Sequence, residues 1–298
     1  MAAEKNVVIV EGLQEFLQAI EPGIATKDKP KFFETNSDEI FWYRGQSDMT
    51  WHLEPTLYRK VRQAGEPGNF WERLQEAEKK TYEEFEVRNY HFLNRPPQGK
   101  YLWLSLMQHY NLATRLLDWS EQAIPALFFA VSDYYKQVSP VKDCLPCVWV
   151  LKPNQLARHS IRYFNSHRIK KYPANTTGSM ISLIKVHEDL LRAKLCDSIP
   201  LPVLAPHTND RIHAQSGVFT IFPIEKRYPE KMWGKKEEYY YLETLPDANE
   251  FLFQLIILDP KRVSNQLKQL GFKLSMFFPE IPNVSSEIEE KFLREIKK

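Results

Sequence analysis

The sequence predicts an α+β fold, on three observations. Segments with helical periodicity are mixed with short apolar runs of strand length. Several helical segments carry recognisable starts and stops. The strand-like runs gather late in the chain and do not alternate one for one with helices, which is the α+β pattern.

The elements read as follows. Glu11 to Ile20 is amphipathic and predicts a helix. Glu39 to Arg44 is rich in aromatics and ends at Gly45, a strand signature. In Trp71 to Leu93 the residues Trp71, Leu74, Ala77, Phe85 and Phe92 recur near helical spacing, with Glu, Lys and Arg between them. Tyr101 to Tyr110 is a second helix with Leu102, Leu106 and Tyr110 on one stripe, and Asn111 is a left-handed stop. Thr114 to Leu117 is short and extended. Asp118 or Ser120 then caps a helix running to about Lys136. Pro125 is tolerated only in the first turn, so that helix starts near Ala123.

Cys147 to Leu151 predicts a buried strand. Asn154 to Leu195 is basic and mostly helical, and Ile199 to Asn209 is a proline-rich crossing. Ile212 to Phe222 alternates apolar and polar residues and predicts a strand, as do Tyr239 to Leu242 and Leu252 to Leu258. Lys261 to Leu270 is a helix closed by Gly271, and Ser286 with Glu289 forms a capping box for a final helix.

Bulk properties exclude several function classes. A chain of 298 residues allows one large domain or two ordinary ones. The formal net charge of +2 argues against a polybasic nucleic-acid binder. The run Val7 to Val10 is too short for a signal peptide, and no stretch approaches the roughly 18 apolar residues of a spanning helix. No membrane association is expected. The three cysteines argue for a reducing cytoplasm and against a disulfide framework. Cys144 and Cys147 form a C-x-x-C, but no second ligand pair accompanies it, so no metal is expected. With 10 glycines there is no dinucleotide fingerprint and no P-loop, nor is there a G-x-S-x-G or H-E-x-x-H motif.

Five constellations carry chemistry. Tyr43-Arg44-Gly45-Gln46 puts a planar guanidinium, suited to phosphate or carboxylate, beside a glycine that lets a ligand approach. Alternatively, Arg44 pairs with Asp38 or Asp48. Gln108-His109 closes a helix, whose dipole would bias His109 toward its charged form; a packed, hydrogen-bonded histidine fits equally. Thr114 and Asp118 flank an apolar pair before the helix that contains Ala126. Arg211, His213 and Gln215 would share one strand face, either a solvated one or a site, and Gly217 marks a bulge or a close ligand. The basic stretch Arg158, His159, Arg162, His167, Arg168, Lys170 and Lys171 could attract nucleic acid or an acidic partner, or be a solvated helix face.

The order of these segments resembles the FRG family, named for an aromatic-Arg-Gly motif. That motif is Tyr43-Arg44-Gly45 here, with Trp51, Leu53, Pro55 and Arg59 downstream. The family's Q-H-x-G-x-x-T-R-L-L-D-W segment is similar to Gln108 through Trp119, with Asn111 in place of Gly and Ala113 in place of the usual Pro. The late R-x-x-x-Q-x-G-x-F-T element is similar to Arg211, Gln215, Gly217, Phe219 and Thr220, and Leu270 to Phe272 and Phe277 to Glu280 fit the closing segment. The resemblance implies a single FRG-type domain over 1–298, with a motif-bearing part at 40–135 and later strands and helices at 146–284.

The order of polar residues also resembles that of the ADP-ribosyltransferase fold, a split, mostly antiparallel sheet flanked by helices. That second resemblance implies NAD as substrate, with Arg44, His109, Thr114 and Gln215 as catalytic residues. It implies Tyr43, Arg44, Gly45, Gln108, Thr114, Asp118, Arg211 and Gly217 as the ligand-holding set. Gln215 stands where that fold often has Glu. The expected activity is ADP-ribosyl transfer to a macromolecule or NAD hydrolysis, in a toxin or phage-defence effector. Its partner would be a macromolecular acceptor or a regulatory protein. A silent binding module, and a nucleic-acid-acting enzyme using residues 158–171, are the rival expectations.

Overall fold

A computed structural model describes residues 6–21, 39–65, 70–135, 144–166, 181–182, 190–204, 216–225 and 241–296. Their strands are β1 (Val7–Val10), β2 (Trp42–Gln46), β3 (Leu116–Ser120), β4 (Cys147–Leu151), β5 (Ile181–Ser182), β6 (Leu201–Leu204), β7 (Gly217–Ile221) and β8 (Leu252–Ile257). They form one sheet in the order β1-β8-β4-β2-β3-β7-β6-β5. The outermost pairings, β1 with β8 and β5 with β6, are parallel, and the rest are antiparallel. The expected α+β class, a mostly antiparallel sheet flanked by helices, is what the chain forms.

Helices cover both faces, and strand alternation divides the apolar side chains between two cores. Trp42, Cys147, Trp149 and Leu151 point to one core. It is roofed by α2 (Thr56–Gln63), α3 (Phe70–Asn89), α4 (Lys100–His109), α7 (Pro153–Ser166) and α8 (Leu190–Ser198). Tyr43, Val148, Val150, Phe253 and Leu255 point to the other. That face is covered by α1 (Leu13–Ile20), α5 (Ala123–Ala130), α9 (Pro260–Gln269) and α10 (Leu274–Phe277). β4 is buried at every position, which is why its sequence is an unbroken apolar run. A short α6 (Ser132–Tyr135) follows α5, and α11 (Ile281–Ile296) ends the described chain.

The sheet is thinnest at its centre. β2 meets β3 through one residue pair, Tyr43 with Ser120, whereas β2 runs beside β4 from Trp42 to Gln46 and β3 beside β7 from Leu116 to Ser120. Beyond that pair the two strands splay apart. α5 packs across the seam, touching β2, β3 and β4.

Several sequence expectations are corrected. β2 continues through Gly45, which pairs with Val148 in mid-strand. A Cβ there would overlap the Ala126 carbonyl oxygen and lie 2.7 Å from the Ala130 amide nitrogen. Gly45 therefore admits α5 onto the sheet and does not turn the chain. Asp118 sits inside β3 and caps nothing; α5 begins after Gln122 without a side-chain cap. The proline-rich stretch contributes β6. Its residues Leu201 to Val203 pair with β7, and Val203 and Leu204 pair with β5. Leu242 belongs to a 3-10 turn, Leu242–Thr244, while residues 239–240 lie outside the described ones. α11 starts at Ile281, so Ser286 and Glu289 lie within it. β1, β2 and β3 come early, so strands are spread along the chain. Among the described residues no helix is long and apolar enough to cross a membrane.

Candidate functional site

The splay between β2 and β3 opens a cavity of about 230 Å³. Arg44 and Gly45 enter it from β2, Asp118 and Trp119 from β3, and Gly217 and Phe219 from β7. Ser105, Gln108 and His109 come from α4, Phe129 from α5, and Phe278 from the turn after α10. Charged and amide groups thus share the space with aromatic rings.

A hydrogen-bonded chain organises the polar side. The Thr114 hydroxyl lies 2.5 Å from Gln108 Oε1, Gln108 Nε2 donates to Asp118 Oδ2 at 2.8 Å, and Arg44 Nη1 lies 3.8 Å from that oxygen. Arg44 Nη1 also donates to the Asp118 backbone carbonyl at 2.7 Å, spanning the gap where sheet hydrogen bonds stop. Burial lowers the guanidinium's pKa and Asp118 raises it. An arginine starts so far above neutrality that Arg44 stays charged. Its side chain is a quarter exposed, and only Nη1 is bonded to Asp118 among the described residues, so Nη2 remains for a ligand.

Of the residues singled out in sequence, Arg44, Gly45, Gln108, His109, Asp118 and Gly217 line this cavity. Thr114 does not. It is fully buried behind Gln108, and its oxygen accepts from the Leu116 amide at 3.1 Å. Tyr43 points to the opposite face of the sheet, into a larger cavity of about 800 Å³ between α1 and α9. There burial pushes its phenol up to about 12. Arg211 and Gln215 lie outside the described residues, as do residues 167–171 of the basic stretch. His159 is buried against Phe251, 5.2 Å between ring centroids, while Arg158 and Arg162 are exposed. The stretch is therefore not one continuous basic face.

Two motif residues prove to be framework. Arg115 is wholly buried, with Nε 2.7 Å from Glu78 and Nη2 2.6 Å from Asp197. Its Nη1 donates to the carbonyls of Cys196 and Phe222. Gln46 accepts from Trp149 Nε1 at 2.9 Å. Ser105, Trp119, Phe129, Phe219 and Phe278 were not among the expected site residues, although Trp119, Phe219 and Phe278 fall in the family-like segments and Phe129 on the helix of the ADP-ribosyltransferase resemblance. Ser105 carried no signal of its own. Among the described residues no group of three or more His, Cys, Asp or Glu could hold a metal ion.

No curated protein and no solved structure matches the chain. A family model, that of the FRG domain, matches residues 39–138. That span contains Arg44, Gln108, His109, Thr114 and Asp118, and the chain therefore carries an FRG domain.

Proposed function

We propose that the cleft at the β2–β3 seam binds NAD by its nicotinamide–ribosyl end and breaks the bond between them. ADP-ribose then passes to a macromolecular acceptor or to water. The observation that carries this reading is one charged fork, Arg44, facing a cavity walled by Phe129, Phe219, Phe278 and Trp119. A planar cationic ring suits aromatic walls, and a phosphate or ribose suits a guanidinium. The cavity is smaller than the roughly 300–1,000 Å³ of drug-sized ligand sites, so it holds one end of a dinucleotide. In this reading Gly45 and Gly217 let the ligand approach the backbone. His109 and Gln108 contact the ribose or nicotinamide, and Thr114 orients Gln108. The free cysteines Cys144, Cys147 and Cys196 suit a reducing cytoplasm. An effector role, as toxin or phage-defence protein, suits such chemistry.

Incubating the protein with NAD, alone and with protein or nucleic-acid acceptors, should release free nicotinamide, read by chromatography. Arg44→Lys keeps the charge but loses the fork, and calorimetry should show NAD affinity falling about tenfold or more, ~1.4 kcal/mol. Equal affinity in both proteins would remove Arg44 from the ligand. Absence of nicotinamide under every condition would favour a silent binding module.

A further inference from the structure

Asp118 stands where a fold would not place an acid for its own sake. It is the third residue of a five-residue strand whose other positions are all buried, in the middle of the sheet. Aspartate is among the poorer strand formers, and a charge buried there would be costly. It is tolerated because β2 has splayed away, leaving the side chain 56% exposed to the cavity. Among the described residues lining that cavity it is the single acid.

Its carboxylate is held by one oxygen and open at the other. Oδ2 accepts from Gln108 and lies near Arg44; Oδ1 accepts nothing from the described residues. The support behind it has a defined polarity. An ionised carboxylate can only accept, so Gln108 turns its NH₂ toward Asp118 Oδ2. That orientation, set by the network, leaves Gln108 Oε1 facing Thr114, whose hydroxyl donates to it while its oxygen accepts from the Leu116 amide. Thr114 and Gln108 are thus a two-residue brace that aims one carboxylate.

We propose, on the reading that the cleft cleaves NAD, that Asp118 is the catalytic carboxylate of this site, a role that neither Gln215 nor Thr114 can fill. As the bond between the ribose C1′ and the nicotinamide nitrogen breaks, its electron pair goes to that nitrogen and neutralises the pyridinium. Positive charge develops on C1′ and the ring oxygen. Asp118 Oδ1 stabilises that charge, an electrostatic effect strongest where the acceptor is already aimed. A water, or an acceptor's nucleophile, forms the new bond to C1′ and gives its proton to the carboxylate. With water the products are nicotinamide, ADP-ribose and one proton. Arg44 remains with the phosphate or ribose.

Asp118→Asn tests the assignment, since it keeps the shape and the acceptor for Gln108 but removes the charge. NAD affinity by calorimetry and the thermal midpoint should stay near wild type, while nicotinamide release falls by about 100-fold or more. Asp118→Ala with added formate is the second arm: formate supplies a carboxylate in the vacated space and should restore part of the rate. A wild-type rate in Asp118→Asn would overturn the role of Asp118 and leave NAD cleavage standing. Loss of rate in both variants with no response to formate would also overturn it, since a merely structural aspartate would behave so. If wild-type protein releases no nicotinamide with any acceptor, the NAD reading fails and this role fails with it.

Discussion

Two arginines of the FRG span have opposite fates, and burial separates them. Arg44 keeps donors free in a cavity, whereas Arg115 spends its guanidinium on Glu78, Asp197 and two carbonyls with no exposure at all. Burial works against the Arg115 charge, but Glu78 and Asp197 outweigh it and raise its pKa. Glu78 is itself nearly buried and also pairs with Lys100 at 2.6 Å. Removing one partner of such a group strands the other charge away from water. Arg115→Ala should therefore cost about 3–5 kcal/mol in urea unfolding; a loss below about 1 kcal/mol would show that water reaches Glu78 readily. Sequence alone could not rank the two arginines. Arg44 follows Tyr43 and Arg115 follows Thr114, neighbours that do not decide burial, and what distinguishes the two is Glu78 and Asp197, far away in the chain. Asp118 was misplaced for a related reason: an acid just ahead of a helix looks like a cap, and only the splayed strand shows why it is exposed.

Elements were legible where backbone geometry dictates residue type. Asn111 adopts φ 60° after α4, Gly271 adopts φ 84° after α9, and Pro125 sits in the first turn of α5. β4 announced itself by its apolar run. Gly45 was read as a strand end, because a glycine that makes room for a helix has the same letter as one that makes a turn. Its actual role is testable. Gly45→Ala forces α5 away from β2, and overpacking of this kind costs about 1–3 kcal/mol. The expected result is a lower denaturation midpoint at an unchanged slope. Because Phe129 rides on α5 and lines the cavity, the proposed binding of NAD should weaken as well. Unaltered stability would mean that α5 can retreat freely.

At the scale of the molecule, two histidines set opposing pH limits. His52 is held by Glu243, with Nδ1 2.7 Å from Oε1, and that hydrogen bond raises its pKa above the ordinary 6.5. Glu243 Oε2 also accepts from the Leu53 amide, tying the loop after β2 to the turn before β8. A raised histidine contributes stability that is complete below its unfolded pKa and lost as pH rises through its folded one. His159, whose pKa burial lowers, does the reverse: its contribution is lost as pH falls below about 6.5. The thermal midpoint should decline on both sides of that value. His52→Gln should flatten the alkaline decline only, and by a modest amount, since His52 is half exposed. An unchanged alkaline slope would refute the link.

The seam between β2 and β3 also bears on what the FRG span is as a unit of folding. Within residues 39–138 those two strands share one residue pair, and their full-length neighbours, β4 and β7, both lie beyond residue 138. The span that carries the family signature therefore does not complete its own sheet. Cut out alone, it would present β2 and β3 with bare edges, the condition that templates aggregation. The signature residues form a half-built cleft, which β4, β7 and Phe278, all beyond residue 138, complete.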